Sequence, residues 1–223
     1  MTKNIFIFLT IFSVLPSFSQ EKHQSSEKAD KKYSVQEVLS KLKEWDDKLI
    51  TFKTKFKQKA VFKNADVTKE ISGEITYKKP SMLKIEHFAP KKQIIITDKK
   101  KIFIVKPSED ETYEADWDEW KKHLDGSLAS LIDFGDYSSL LEKNSAEISY
   151  SADKIILKMK NKKNPSAYIL TLFLSKEDFF PQSARLDVED SSIETEFISI
   201  IKNKDISEDE FKKPKTKKTE KMK

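Results

Sequence analysis

The chain has 223 residues, no cysteine, three histidines, and 42 basic against 37 acidic side chains, for a formal net charge of +5. The lack of cysteine excludes disulfides, thiol catalysis and lipid attachment through an N-terminal cysteine. The positive charge does not point to nucleic acid: Arg185 is the only arginine, and seven lysines cluster between Lys212 and Lys223, whereas phosphate and base readers favour the bidentate guanidinium fork.

At the N-terminus, Lys3 precedes an apolar run over residues 5–15, which Pro16 ends, and Ser17 and Ser19 stand at the two positions a signal peptidase reads. The run is shorter than the about 20 apolar residues a membrane span needs. A cleaved signal peptide over 1–19 and a periplasmic location are therefore expected, followed by a flexible polar leader over 20–33. Ser34 and Glu37 then make a capping-box pattern. Val35, Val38, Leu39, Leu42, Trp45 and Leu49 follow at three- and four-residue spacings, which predicts an amphipathic helix.

Period two takes over next. Phe52, Thr54, Phe56, Gln58, Ala60 and Phe62 share one face of a strand, and Lys53, Lys55, Lys57, Lys59 and Lys63 share the other. Asn64-Ala65-Asp66 reads as a turn. Ile71, Gly73, Ile75 and Tyr77 continue the alternation as far as Pro80, which cannot donate to a ladder. Further strands are predicted over 82–88, 93–97, 101–106 and 111–117. Residues 118–143 carry helical stripes (Trp120, Leu124, Leu128, Leu131 and Ile132, then Tyr137, Leu140 and Leu141 after Gly135). Strands resume over 146–151, 154–160, 167–175, 181–188 and 193–202. The order predicts one domain over 34–206, mainly β with α, whose sheet of about eleven antiparallel strands is closed or curled. The helical insertion would serve as plug or lid. Residues 207–223 read as a disordered Lys-rich tail, or as one that docks transiently on anionic headgroups.

No catalytic constellation is visible. His23, His87 and His123 lack metal-ligand spacing, three glycines make no phosphate loop, and no serine sits in a G-x-S-x-G elbow. The acids at 109–111, 116–119 and 208–210 fit solvated turns and helix ends better than a carboxylate pair. A binding protein without metal, cofactor or enzymatic activity is expected.

Residues 52–106 carry a more specific pattern: FKTKFKQ, then ISGEITYKKPSMLKIEHFAP, then IIITDKKKIFIV. It resembles the periplasmic lipoprotein carrier family, LolA, at Phe52, Phe56, Gln58, Gly73, Lys78-Lys79-Pro80, Leu83, Ile85, Pro90, Asp98 and Phe103. Pro181, residues 193–201, Phe211 and Pro214 extend the likeness more weakly. The resemblance implies an incomplete, half-open antiparallel β-barrel with a helical lid. It implies a monomeric carrier that takes acylated lipoproteins from an ATP-driven inner-membrane transporter to an outer-membrane acceptor. That acceptor, LolB, is itself acylated on cysteine, so the cysteine-free chain matches the soluble carrier.

On this reading Phe52, Phe56, Leu83, Ile85 and Ile104 line the acyl-chain cavity, and Leu128, Leu131 and Ile132 belong to the lid. The same alternation would also suit an ordinary packed core. The resemblance places an arginine that contacts the lid directly before the proline. Here Lys79 stands before Pro80, keeping the charge and losing the planar fork. A binder of free lipids, an envelope lipid sensor and an enzyme acting on lipids are the alternatives.

Overall fold

The helix begins where its capping box lies. In a computed structural model that describes residues 32–122 and 137–222, Ser34 Oγ accepts from the Glu37 amide at 3.2 Å and Glu37 accepts from the Ser34 amide at 2.7 Å. Helix α1 (Val35–Lys43) follows and buries Val38 and Leu42. The four-residue α2 (Trp45–Lys48) is joined to it at Glu44. Residues 1–31, which include the expected signal peptide and nearly all of the leader, lie outside the described residues.

The alternating segments become strands within a few residues of the predicted bounds. The first half of the sheet is β1 (Thr51–Phe62), β2 (Val67–Lys78), β3 (Met82–Ala89), β4 (Gln93–Thr97), β5 (Lys101–Lys106) and β6 (Glu111–Asp116). Helices α3 (Trp117–Lys122) and α4 (Tyr137–Lys143) flank residues 123–136. The second half is β7 (Asn144–Tyr150), β8 (Lys154–Asn161), β9 (Ile169–Ser175), β10 (Pro181–Val188) and β11 (Ser191–Lys202), with β12 (Lys218–Lys221) last in sequence. All belong to one sheet in the order β12-β6-β5-β4-β3-β2-β1-β11-β10-β9-β8-β7. The long β1 stands between β2 and β11 and joins the two meanders. The ends, β7 and β12, do not meet, so the sheet is open, as a half-open barrel requires.

Register sorts the side chains onto two faces. On one, here called inner, Phe52 is paired through to Tyr77, Leu83, Thr97, Ile102 and Ala115. Across β7 to β10 the same face carries Ile155, Leu157, Met159, Leu170, Leu172 and Leu174, which pack with Val38 and Leu42 of α1 and with Tyr137 and Leu140 of α4. On the outer face of β1 the lysines stand among acids. Lys57 is opposite Glu196, Lys59 is opposite Glu194 and Glu70, and Lys53 pairs with Glu74 at 3.0 Å. Opposite charges across strands support the ladder modestly, by about 0.2–1 kcal/mol a pair.

The Lys-rich tail departs from its expected disorder and raises the strand number from about eleven to twelve. From Asn203 it crosses the outer face of β2 to β6. The Ile206 carbonyl accepts from Lys78 Nζ at 2.8 Å, Lys84 lies 4.0 Å from Glu210, and Lys213 Nζ sits 5.0 Å from the Phe103 ring centroid. Thr216 and Thr112 hydroxyls meet at 2.7 Å, and β12 then pairs parallel to β6. Ile206 and Phe211 are each 8% exposed. The reason is that the outer face of β4 and β5 is apolar, with Ile94, Ile96 and Val105 buried and Phe103 packed on them, so a cover removes costly surface from water. The acids at 109–111 receive the tail, Asp110 pairing with Lys217 at 3.2 Å and Glu111 with Lys218 at 3.1 Å.

Candidate functional site

Among the described residues, the packing of α1 and α4 in the main core does not extend to the inner face of β2 to β6, which carries a half-buried apolar surface. Its first row, from Phe52 to Ala115, is filled at both ends, with Leu83 half-buried between them. Phe52 is fully buried with Leu49, Tyr77 and Phe180, and Trp45 of α2 packs on the cluster. Trp45 also donates its indole N–H to the Asp178 carbonyl at 3.1 Å. At the other end of the row, Ile102, Ala115 and Trp117 form a cluster with Trp120, stacked on Trp117 at 5.3 Å between ring centroids.

The second row is different. Thr54 is in register with Ile75, Ile85, Ile95, Ile104 and Tyr113. From Ile75 onward these side chains are only half-buried. A row of isoleucines on neighbouring strands, about 4.8 Å apart, makes a continuous apolar strip wide enough for alkyl chains to lie along. The third row begins at Phe56, which is opposite Gly73 and Phe197. Gly73 is required here by close approach. A Cβ on it would stand 2.7 Å from the Phe56 ring and 2.3 Å from the Glu86 carbonyl oxygen. The bare backbone lets the ring approach β2 closely, edge-on to His87 at 5.9 Å between ring centroids.

The five residues expected to line a cavity thus occupy one face of one sheet. Leu83, Ile85 and Ile104 are half-buried, while Phe52 and Phe56 are buried at 0% and 5% exposure. Phe52 serves as packed core at the end of the surface, Phe56 as its floor beside Gly73. Sequence reasoning left Ile75, Ile95 and Tyr113 out of the lining. For Ile75 the period-two alternation with Gly73 and Tyr77 was the available signal. The lid candidates Leu128, Leu131 and Ile132 lie outside the described residues.

Lys79 and Pro80 stand at the turn from β2 to β3, both exposed. Lys79 Nζ donates to the Asp46 carbonyl in α2 at 2.7 Å. The Asp46 carboxylate accepts from the amides of Tyr137 and Ser138, at 2.6 and 2.9 Å, and from the Ser138 hydroxyl. One residue of α2 therefore ties Lys79 to the first turn of α4, which resumes the chain after residues 123–136. A carboxylate at that position satisfies amides that the helix leaves without partners. Burial pushes the phenol of Tyr137 above its usual range, so it stays neutral within the core. Sequence reasoning had no signal for Asp46, because the contact spans 91 positions.

The family described as outer membrane lipoprotein carrier protein LolA matches residues 47–214 of the chain. No curated protein matches it. Among solved structures, an uncharacterized conserved protein from Thermus thermophilus is 9% identical, with a TM-score of 0.55 over 85% of this chain and 100% of that one. MucB in complex with MucA, from Pseudomonas aeruginosa, is 15% identical, with a TM-score of 0.50 over 80% of this chain and 60% of that one. A LolA superfamily protein from Nitrosomonas europaea is 12% identical, with a TM-score of 0.44 over 82% and 99%. At such identities the first two likenesses speak for the fold alone.

Proposed function

Because the chain belongs to the LolA family of outer membrane lipoprotein carriers, we propose that it is a secreted periplasmic chaperone that holds lipoprotein acyl chains on the inner face of β2 to β6. It receives its cargo from an ATP-driven transporter of the inner membrane and passes it to an acceptor at the outer membrane. The observation that carries this reading is the half-buried isoleucine row, Ile75, Ile85, Ile95 and Ile104, in register across four strands. Each buried methylene of an acyl chain contributes about 0.8 kcal/mol, so a lipoprotein with several chains crosses water only if comparable apolar surface travels with it. The work is binding and release, with no bond made or broken.

Lys79 takes the part of a positioning residue, acting through Asp46 on the first turn of α4. Replacing Lys79 by arginine adds donors in a planar fork and is expected to slow cargo release. The tail enters this reading as part of the sheet. Lys217 and Lys218 are occupied by Asp110 and Glu111, so contact with the membrane through a free tail is not part of the proposal.

The test is a release assay. Inner-membrane vesicles bearing a triacylated lipoprotein and the cognate transporter are given ATP and the purified protein, and the soluble fraction is examined for a one-to-one complex. ATP-dependent release that is lost with Leu83→Glu supports the proposal. No release, with free lipid co-purifying instead, replaces it with the reading of a free-lipid carrier.

A further inference from the structure

Polarity on the inner face changes at one level on three adjacent strands. Moving two residues along each strand, roughly 7 Å, Ile85 gives way to His87, Ile95 to Gln93 and Ile104 to Lys106. His87 is in register with Gln93, as Ile85 is with Ile95 and Ile95 with Ile104. An apolar strip bounded on one side by aligned polar side chains matches an amphiphile lying with its chains on the strip and its headgroup at the boundary.

The boundary opens into a pocket of about 180 Å³ between the β3–β4 and β5–β6 turns, lined by Lys91, Lys92, Gln93, Lys106, Ser108 and Glu109. That is room for several water molecules, the scale of one small headgroup. The lining is rich in donors, with three ammonium groups, an amide and a hydroxyl against one acid. Lys106 reaches across the ring of Tyr113, 4.8 Å from its centroid, and touches Glu109 at 3.2 Å. Lys92 is held by Glu86 at 3.3 Å from the outer face, and Glu111 is engaged by the Tyr113 hydroxyl and by Lys218. An arriving anion would exchange with Glu109 for Lys106 and gain Lys91 and the Gln93 amide.

We infer that this pocket binds the phosphate of a glycerophospholipid whose acyl chains occupy the isoleucine row. The inference rests on the acyl-binding reading and adds to it a cargo class, since a triacylated lipoprotein terminus carries no phosphate. Charge-assisted hydrogen bonds to phosphate are the stronger kind, and one or two of them separate a phospholipid from the corresponding neutral diacylglycerol by about tenfold.

The experiment incubates the purified protein with phosphatidylcholine vesicles containing either dioleoylphosphatidylglycerol or dioleoylglycerol. Transferred lipid is quantified by native mass spectrometry. Uptake of the phospholipid about tenfold above that of the diacylglycerol is expected. Lys91→Gln combined with Lys106→Gln should abolish that preference and leave diacylglycerol uptake as it was. Both positions are at the surface or half-buried, and circular dichroism checks that the variant is folded. Ile104→Glu should remove uptake of both lipids. Equal uptake of the two lipids by the unaltered protein overturns the headgroup site and leaves the acyl-binding reading standing. Uptake of neither, and of no phosphatidylcholine from the host vesicles, overturns both. Calorimetric binding of inorganic phosphate, lost in the double variant, together with equal uptake of the two lipids would make the pocket a free-anion site and overturn its assignment to a headgroup.

Discussion

Replacing Phe211 by alanine tests whether the C-terminal strap is held to the sheet as described. Phe211 is 8% exposed in a short 3-10 turn against β3, and full burial of such a side chain stabilises by about 1.5–3 kcal/mol. The additional cavity cost seen at internal sites does not apply, because water can enter from the open side of the strap. A loss of about 2 kcal/mol follows, and it should fall on the strap, since β12 is held by only four register pairs and is exposed throughout. In an opening equilibrium that is a factor of about 30. Hydrogen exchange reads it directly. The Met222 amide donates to the Glu114 carbonyl at 2.8 Å and the Lys218 amide to Asp110 at 3.3 Å. Both should lose protection about thirtyfold, while amides of β1 and β11 keep theirs. Removing residues 204–223 goes further, exposing Ile94, Ile96 and Val105, which are 6%, 5% and 0% exposed in the intact fold. Binding of a hydrophobic dye and self-association should both rise. If the shortened chain is as stable as the full one and associates no more, and the β12 amides of the full chain are unprotected from the start, the strap does not cover the outer face and the reasoning fails.

Three further outcomes are expected. Gly73→Ala forces a methyl group to within 2.7 Å of the Phe56 ring and 2.3 Å of a backbone oxygen, and should cost about 1–3 kcal/mol by overpacking; a denaturation midpoint at the wild-type value would show that the ring does not lie over β2. Asp46→Ala leaves the Tyr137 and Ser138 amides without their carboxylate and should cost about 1 kcal/mol, within the usual range for a lost cap. Increased exchange should be confined to α4, and a change spread evenly over the chain would count against the cap. Lys41 and Lys48, hydrogen-bonded to Glu44, hold its carboxyl down at about 2 from the ordinary 4.5. Its folded value lies below its unfolded one, so its stabilising contribution is present above pH 4.5 and is lost as pH falls towards 2. Carbon-detected titration of Glu44 should show a low midpoint that rises in high salt, and an ordinary midpoint at low salt would contradict the paired geometry.

Much of the candidate site's placement on one face was legible because β1 and β2 are wet on one face and dry on the other. Phe52, Phe56 and Ile75 alternate with Lys53, Lys55 and Glu74, and the period alone assigns them to one side. Alternation does not say whether a dry face is packed or open. That depends on how far the helices extend over it, and Leu49, Trp45 and Phe180 close over Phe52 while Ile85 and Ile104 stay half-buried. The link from Lys79 through Asp46 to α4 joins residues 33 and 91 positions apart, and no local pattern announces such a pairing.

The strap did leave a trace, and it lies in β4 and β5 rather than in the tail. A strand with one solvated face alternates, as β1 does with its lysines. The run Ile94-Ile95-Ile96 and the run from Ile102 to Val105 do not alternate at all, and continuous apolar strands belong to sheets covered on both sides. Ile95 and Ile104 point to the inner strip, so Ile94, Ile96 and Val105 require a cover on the outside. The chain after Asn203 is the only stretch following the last predicted strand, and it carries Ile206 and Phe211 among its charges. The Lys-rich composition that suggests disorder is what a covering segment needs on its own outward side, with Lys217 and Lys218 meeting the acids at 110 and 111. A carrier must keep one apolar face available for its cargo without presenting a second to everything else. In this chain the strap runs over the outer face of β4 and β5, and the isoleucine row stays half-buried on the inner one, where the proposed reading seats the cargo.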